Sequence, residues 1–170
     1  MTPDSLLAVA NDLATLPGPG APAQARLRRS ISTSYHAAFH AALAVCASQG
    51  AGVTGDPDAR EAIRRSVSHA TLKGAADRII TAPQQPPREH DRGRAARSLA
   101  HHLRRAGWSS PMNDLRTLQE ARHLADYDLS SRVELEAAQT AHAQSARVCD
   151  FLSQHLTGAQ RRAFFVLVVS

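Results

Sequence analysis

RRSISTSYHAAFHAAL, residues 28–43, sets two arginines, a Tyr-His pair and a second His four residues on into a run of small and apolar side chains. Ile31, Tyr35, Ala38, Ala42 and Val45, with Leu27 upstream, recur at three- and four-residue steps, the period of a helix face. Phe39, Leu43 and Cys46 widen that stripe, and a wide stripe is buried on more than one side. The helix should begin near Pro22, after the breaker cluster PGPGAP at 17–22, and run to about Ser48. At 1.5 Å per residue it spans roughly 40 Å, long enough to be the axis of a domain. Its polar edge holds Arg28, Arg29, His36 and His40, so the helix either has wet edges or lines a polar groove.

The remaining pattern is helical as well. A first helix over 3–16 opens on Pro3. A third spans 57–81, with Ala62, Val67, Ala70, Ala75 and Ile79 as its apolar members. A basic amphipathic helix covers 94–106 and stops at Gly107. Ser110-Pro111 reads as an N-cap followed by proline at the first helical position, opening a helix to about 127. Ser131 and Glu134 have the spacing of a capping box before a last long helix that reaches about 155. The proline-rich, charged stretch 82–94 reads as a mobile loop. The run Phe164–Val169 could extend a helix after Gly158, dock as a short strand, or cover a partner. The expected fold is therefore all-α, a bundle of four main helices plus one or two more, with the domain over 1–158 and an apolar tail over 159–170.

Composition agrees with that fold. Aromatic residues make up 4% of the 170 residues, and strand formers are scarce before the last few positions. A chain of this length buries a core without metal or disulfide staples. Cys46 and Cys149 lie on apolar helical stripes and not at metal spacing, so they read as buried free thiols, with a disulfide between them the less favoured option. The first residues lack a basic segment followed by an apolar run, and no stretch approaches membrane-spanning length, so a cytoplasmic chain is expected. Net charge is +5, and Lys73 is the single lysine among 20 basic residues. The charge is concentrated: residues 60–105 hold eleven basic against four acidic side chains, net +7. Such a face suits a polyanion, although a solvated helix surface gives the same pattern.

The segment LQEARHLADYDL, residues 118–129, carries the chemistry. On a helix Leu115, Leu118, Arg122 and Ala125 share one stripe, so Arg122 projects from a face that otherwise looks inward. Asp126 lies four residues on and can pair with it. Such a pair can simply fix helix packing; it can also present a partly buried cation to a phosphate.

Together the two segments resemble signatures of the HEPN superfamily (higher eukaryotes and prokaryotes nucleotide-binding domain). RRSISTSYHAAFHAAL is similar to its "RxAISRAYYAAFHAA" helix, and ARHLADYDL to its "ADYD" motif before the last long helix. The resemblance covers the chain to about residue 156 and is strongest over some 28 residues. It implies a helical bundle that often dimerises and binds RNA or nucleotides. Many such proteins are metal-independent RNases in toxin–antitoxin or RNA-processing systems, in which the usual partner is a small nucleotidyltransferase-like antitoxin. No cofactor or metal is implied. The RNase members carry Arg, a polar residue, three variable residues and His. Here Arg122 and His123 take the first two positions and Tyr127 stands where His is expected. A tyrosine near pKa 10 is a poor base at neutrality but can stack on a nucleobase. The expected site is thus Arg122, His123 and Tyr127 for any chemistry, with Arg28, Arg29, His36, His40, Arg122 and Asp126 binding the ligand. His123 is the best substitute acid or base. Arg64-x4-His69 and Arg97-x4-His102 also match the bare spacing, but both fall in the wrong place along the chain and read as chance. Two alternatives stay open: a protein that binds RNA or a nucleotide, and a non-enzymatic helical module that self-associates or pairs with an antitoxin.

Overall fold

The computed structural model describes residues 2–16, 21–52, 55–88, 93–154 and 156–170. Eight helices lie among them: α1 (Pro3–Thr15), α2 (Ala21–Gly50), α3 (Pro57–Ser66), α4 (His69–Thr81), α5 (Arg94–Arg105), α6 (Ser109–Tyr127), α7 (Leu135–Gln154) and α8 (Gly158–Val169). No strand forms among the described residues. The 30 residues of α2 are the axis. It packs against α1, α6 and α7, while α7 also touches α1 and α6, giving a four-helix centre. Around it α3 leans on α2, and α4 joins α6 to α5 and α8. No helix among the described residues is long and apolar enough to cross a membrane.

The all-helical bundle is as expected, but it holds more helices than four plus one or two. The segment 57–81 breaks at Val67, whose backbone is extended. Ser68 then starts α4: its hydroxyl accepts from the Thr71 N–H at 3.1 Å, and Thr71 Oγ1 accepts from the Ser68 N–H at 3.0 Å. A threonine here does the work usually signalled by Glu or Gln, so the break is quiet in the sequence. The cap expected at Ser110 is absent. Gly107 takes φ +87° after α5, its N–H bonds the Arg104 carbonyl, and the Trp108 N–H bonds the Leu103 carbonyl. This Schellman turn leads directly into α6 at Ser109. The capping box at Ser131 and Glu134 does not form either, because the Ser131 hydroxyl donates to Asp128 and α7 begins at Leu135.

The apolar tail is a helix and belongs to the core. Thr157 caps it through the Gln160 N–H, and Phe164, Leu167 and Val168 are buried. Phe164 lies 4.8 Å from the fully buried Trp108, which Phe151 meets edge-on at 5.3 Å. Part of the proposed mobile loop is also anchored. Arg104 donates to the carbonyls of Ile80 and Ala82, and His101 Nδ1 donates to that of Pro83 at 2.9 Å. Positions 89–92 of that loop, and 17–20 of the first breaker cluster, lie outside the described residues.

Small residues let α2 approach its neighbours closely. The buried Ser30 hydroxyl donates to the Ala10 carbonyl at 2.7 Å, and the buried Ser145 hydroxyl donates to that of Ser34 at 2.6 Å. Cys46 and Cys149 are free and buried; burial raises their thiols to about 12 and about 11, so both stay protonated near neutrality. Because the tail completes the aromatic core, Phe164→Ala should destabilise the protein by about 3–5 kcal/mol. Urea unfolding measures this, and a loss below about 1 kcal/mol would show that α8 is not integral to the fold.

Candidate functional site

The register of α6 on α2 is fixed by Arg28. Its guanidinium donates to the carbonyls of Ala125 at 3.0 Å and Asp128 at 2.8 Å, and to that of Ser131. The first two of these oxygens end α6, where helical carbonyls lack partners of their own, and the third lies in the connection that follows. Arg28 therefore acts as a structural clamp. Gln24 holds the same connection through paired bonds of 2.9 Å with the Val133 N–H and carbonyl. Within the connection, hydrogen bonds from the Ser130 and Ser131 hydroxyls and N–H groups hold the Asp128 carboxyl down at about 2.

One helical turn back from this clamp, Arg122 lies in the groove between α2 and α6. Its Nε is 2.7 Å from Asp126 Oδ2, and both side chains are about a quarter exposed (22% and 24%). The N–H does not point along that line, so the contact is an ion pair without an aligned hydrogen bond. The Ser32 hydroxyl reaches the same carboxylate oxygen at 3.4 Å. The guanidinium carbon lies 6.0 Å from the Tyr35 ring and 5.9 Å from the Tyr127 ring, within cation–π range of both. Neither Nη group donates a hydrogen bond to another described residue. On the solvent side Arg122 borders a cavity of about 430 Å³, lined also by Lys73, Gln119, Glu120, His123 and Leu124.

On the inner side stands a residue that spacing alone dismissed. His69, the first residue of α4, places Nδ1 2.6 Å from the Tyr35 hydroxyl. Its ring packs 4.2 Å from Phe39 and 6.0 Å from His36. Gln119 of α6 reaches its carbonyl at 3.5 Å. The break at Val67–Ser68 aims the start of α4 into this groove, and that break had no strong sequence signal. Tyr35, expected as core, is indeed buried, yet its hydroxyl belongs to the site.

The other expected residues are spread around this centre. His36 is partly buried beside Tyr35 and His69. His40 is exposed, edge-on to Phe39 at 6.0 Å. Arg29 is exposed two helical turns before His36, on the same side of α2. His123 and Tyr127 are exposed neighbours with rings 4.9 Å apart, and His123 lines the outer cavity. Lys73, one turn into α4, adds a second cation to that cavity and pairs with Asp77 at 2.9 Å.

Electrostatics favour neutral imidazoles here. Burial lowers His36, helped by the charges of Arg122, His69 and His40 against the opposing pull of Asp126. Burial also lowers His69, with Arg122 and His40 adding to it, and lowers His40, with Arg64 adding to it. Burial raises Tyr35, which stays a neutral phenol. The site thus offers a fixed cation, uncharged imidazoles and a phenol, a set suited to gripping a phosphate while leaving a ring nitrogen free for a proton. Among the described residues no three His, Cys, Asp or Glu side chains converge as metal ligands. A comparison with protein-family models, curated proteins and solved structures returns no match.

The lowered histidines also make stability depend on pH. In the unfolded chain each imidazole titrates near 6.5, whereas in the fold His36, His40 and His69 take a proton only at lower pH. The unfolded chain therefore binds more protons once pH falls below about 6.5, so this stability is present above that pH and lost on acidification. The melting temperature should fall between pH 7 and pH 5, and His69→Gln should make the fall shallower. A melting temperature equally steep in both proteins would remove His69 from that account.

Proposed function

We propose that the chain is a HEPN-type protein that binds RNA or a nucleotide in the α2–α6 groove, as a toxin-like or RNA-processing component. The observation that carries this reading is Arg122. Its guanidinium is held in place by Asp126 and two tyrosine rings, and its Nη groups make no hydrogen bond to another described residue, beside the cavity that Lys73 and His123 also line. Such a preset fork matches a phosphate bidentately. Tyr127, 66% exposed, supplies a stacking surface, and Lys73 and Arg29 extend the positive track. The likeness of both motifs to the HEPN signatures supports the same reading.

The test is binding of a single-stranded oligoribonucleotide across a salt series. Arg122→Ala should weaken binding by about 10- to 100-fold, the worth of a charged hydrogen bond. It should also lower the salt dependence by about one phosphate contact. No binding by the wild type at low salt, or equal binding by the variant, would refute the assignment.

A second reading is association. The apolar tail no longer supports it, because the chain covers that tail itself. Leu124, Tyr127 and Leu129, exposed by 59%, 66% and 79%, form an apolar edge at the end of α6 and keep it in view. A second copy of the chain, or a nucleotidyltransferase-type antitoxin, would cover this edge. Sedimentation of the purified chain should give a concentration-dependent dimer that Leu129→Ser weakens. A monomer at all concentrations would exclude self-association.

A further inference from the structure

We infer that His69, held through Nδ1 by the buried Tyr35 hydroxyl 2.6 Å away, is the acid–base residue of the groove, supplying what Tyr127 does not. The inference rests on the RNA reading and adds a cleavage step to it. Three observations carry it. First, Tyr35 is 1% exposed, and His69 is its hydroxyl's sole partner among the described residues, so the ring is fixed at one nitrogen and free at the other. Second, the Tyr35 ring links the two functional groups: Arg122 lies 6.0 Å from its centre and the His69 ring 5.3 Å. Cation and base thus border the same ring. Third, a phenol oxygen accepts from Nδ1–H whether or not Nε2 carries a proton, so Tyr35 can hold the imidazole before and after it takes one.

The chemistry is transesterification. With Nδ1–H donating to Tyr35 Oη, His69 Nε2 takes the proton of a ribose 2′-hydroxyl. The O2′–P bond forms, the P–O5′ bond breaks, and Arg122 holds the charge that builds on the non-bridging oxygens. The leaving 5′-oxygen takes a proton from water, and the imidazolium returns its proton to the hydroxide so formed. The products are a 2′,3′-cyclic phosphate end and a 5′-hydroxyl end. His69 is the catalytic residue and Tyr35 a positioning residue. The charged or titratable groups facing His69 are Arg122, His36 and His40, with Asp126 beside His36. Apart from Asp126 they favour the neutral imidazole that the step requires.

The experiment uses the full chain with a chelator present. One arm follows cleavage of a single-stranded oligoribonucleotide from pH 5 to 8. The other measures affinity for the 2′-deoxy analogue, which cannot be cut. The wild type should cleave, with a rate that rises on leaving acid pH and then levels. His69→Gln should cleave at least about 100-fold more slowly, with analogue affinity within about twofold. Tyr35→Phe keeps the packed ring and should cleave about tenfold more slowly. Its acid limb should move to lower pH, because the imidazolium loses its hydrogen-bond acceptor. Analogue binding without RNA cleavage by the wild type would overturn the inference and leave the binding reading standing, as would His69→Gln cutting at the wild-type rate. Failure to bind the analogue would overturn the binding reading itself and this inference with it.

Discussion

The Arg28 guanidinium gathers the carbonyls at the end of α6 onto the side of α2, and the site follows from that contact. A helix end is a set of unpaired acceptors, and one arginine can satisfy several of them at once. With the end of α6 so fixed, Arg122, one turn earlier, meets Tyr35 across the groove. The same α2 surface then receives the start of α4 through the Tyr35–His69 bond. Three helices distant in sequence are thus locked by one clamp and one phenol–imidazole pair. Small side chains at the remaining contacts, Ser30 and Ser145 among them, let the backbones come close enough for both.

A partly buried arginine beside a carboxylate commonly does nothing but pack. Here its surroundings are unusual in two respects. The ion pair engages Nε, and neither Nη group is hydrogen-bonded to another described residue. The titratable groups nearest to it on α2 and α4 are held uncharged, so the local field is that of one cation with polar neutral neighbours. The strongly basic α5 lies elsewhere, packed on α4 and α8, and part of its charge is engaged internally, since Arg104 binds the carbonyls that follow α4.

The helical period made α2 readable at once, along with the inward stripe Leu115, Leu118, Arg122 and Ala125, and the Arg122–Asp126 pair. Periodicity reports which way a side chain faces on its own helix. It carries no information on which distant helix comes to meet it. His69 illustrates the gap: its contribution depends on a break at Val67–Ser68 marked by a serine and a threonine, which is too common a pair to stand out. The capping errors share one cause. Ser110 and Ser131 have the composition of caps, but the Schellman turn at Gly107 and the Asp128 carboxylate satisfied the local backbone and side chains first. Arg28 read as a ligand contact because its sequence position is polar, while the carbonyls that claim it lie about a hundred residues away.

The central claim is that Arg122, His36 and His69 form one ligand-facing site. Imidazole nitrogen–proton spectra of the histidine-labelled protein, titrated with a 2′-deoxy oligonucleotide, test it most directly. The account predicts that the His36 and His69 signals shift together on binding while that of His142, on α7, stays in place. Shifts confined to His101 and His102 on α5, or no shift at any histidine, would contradict it.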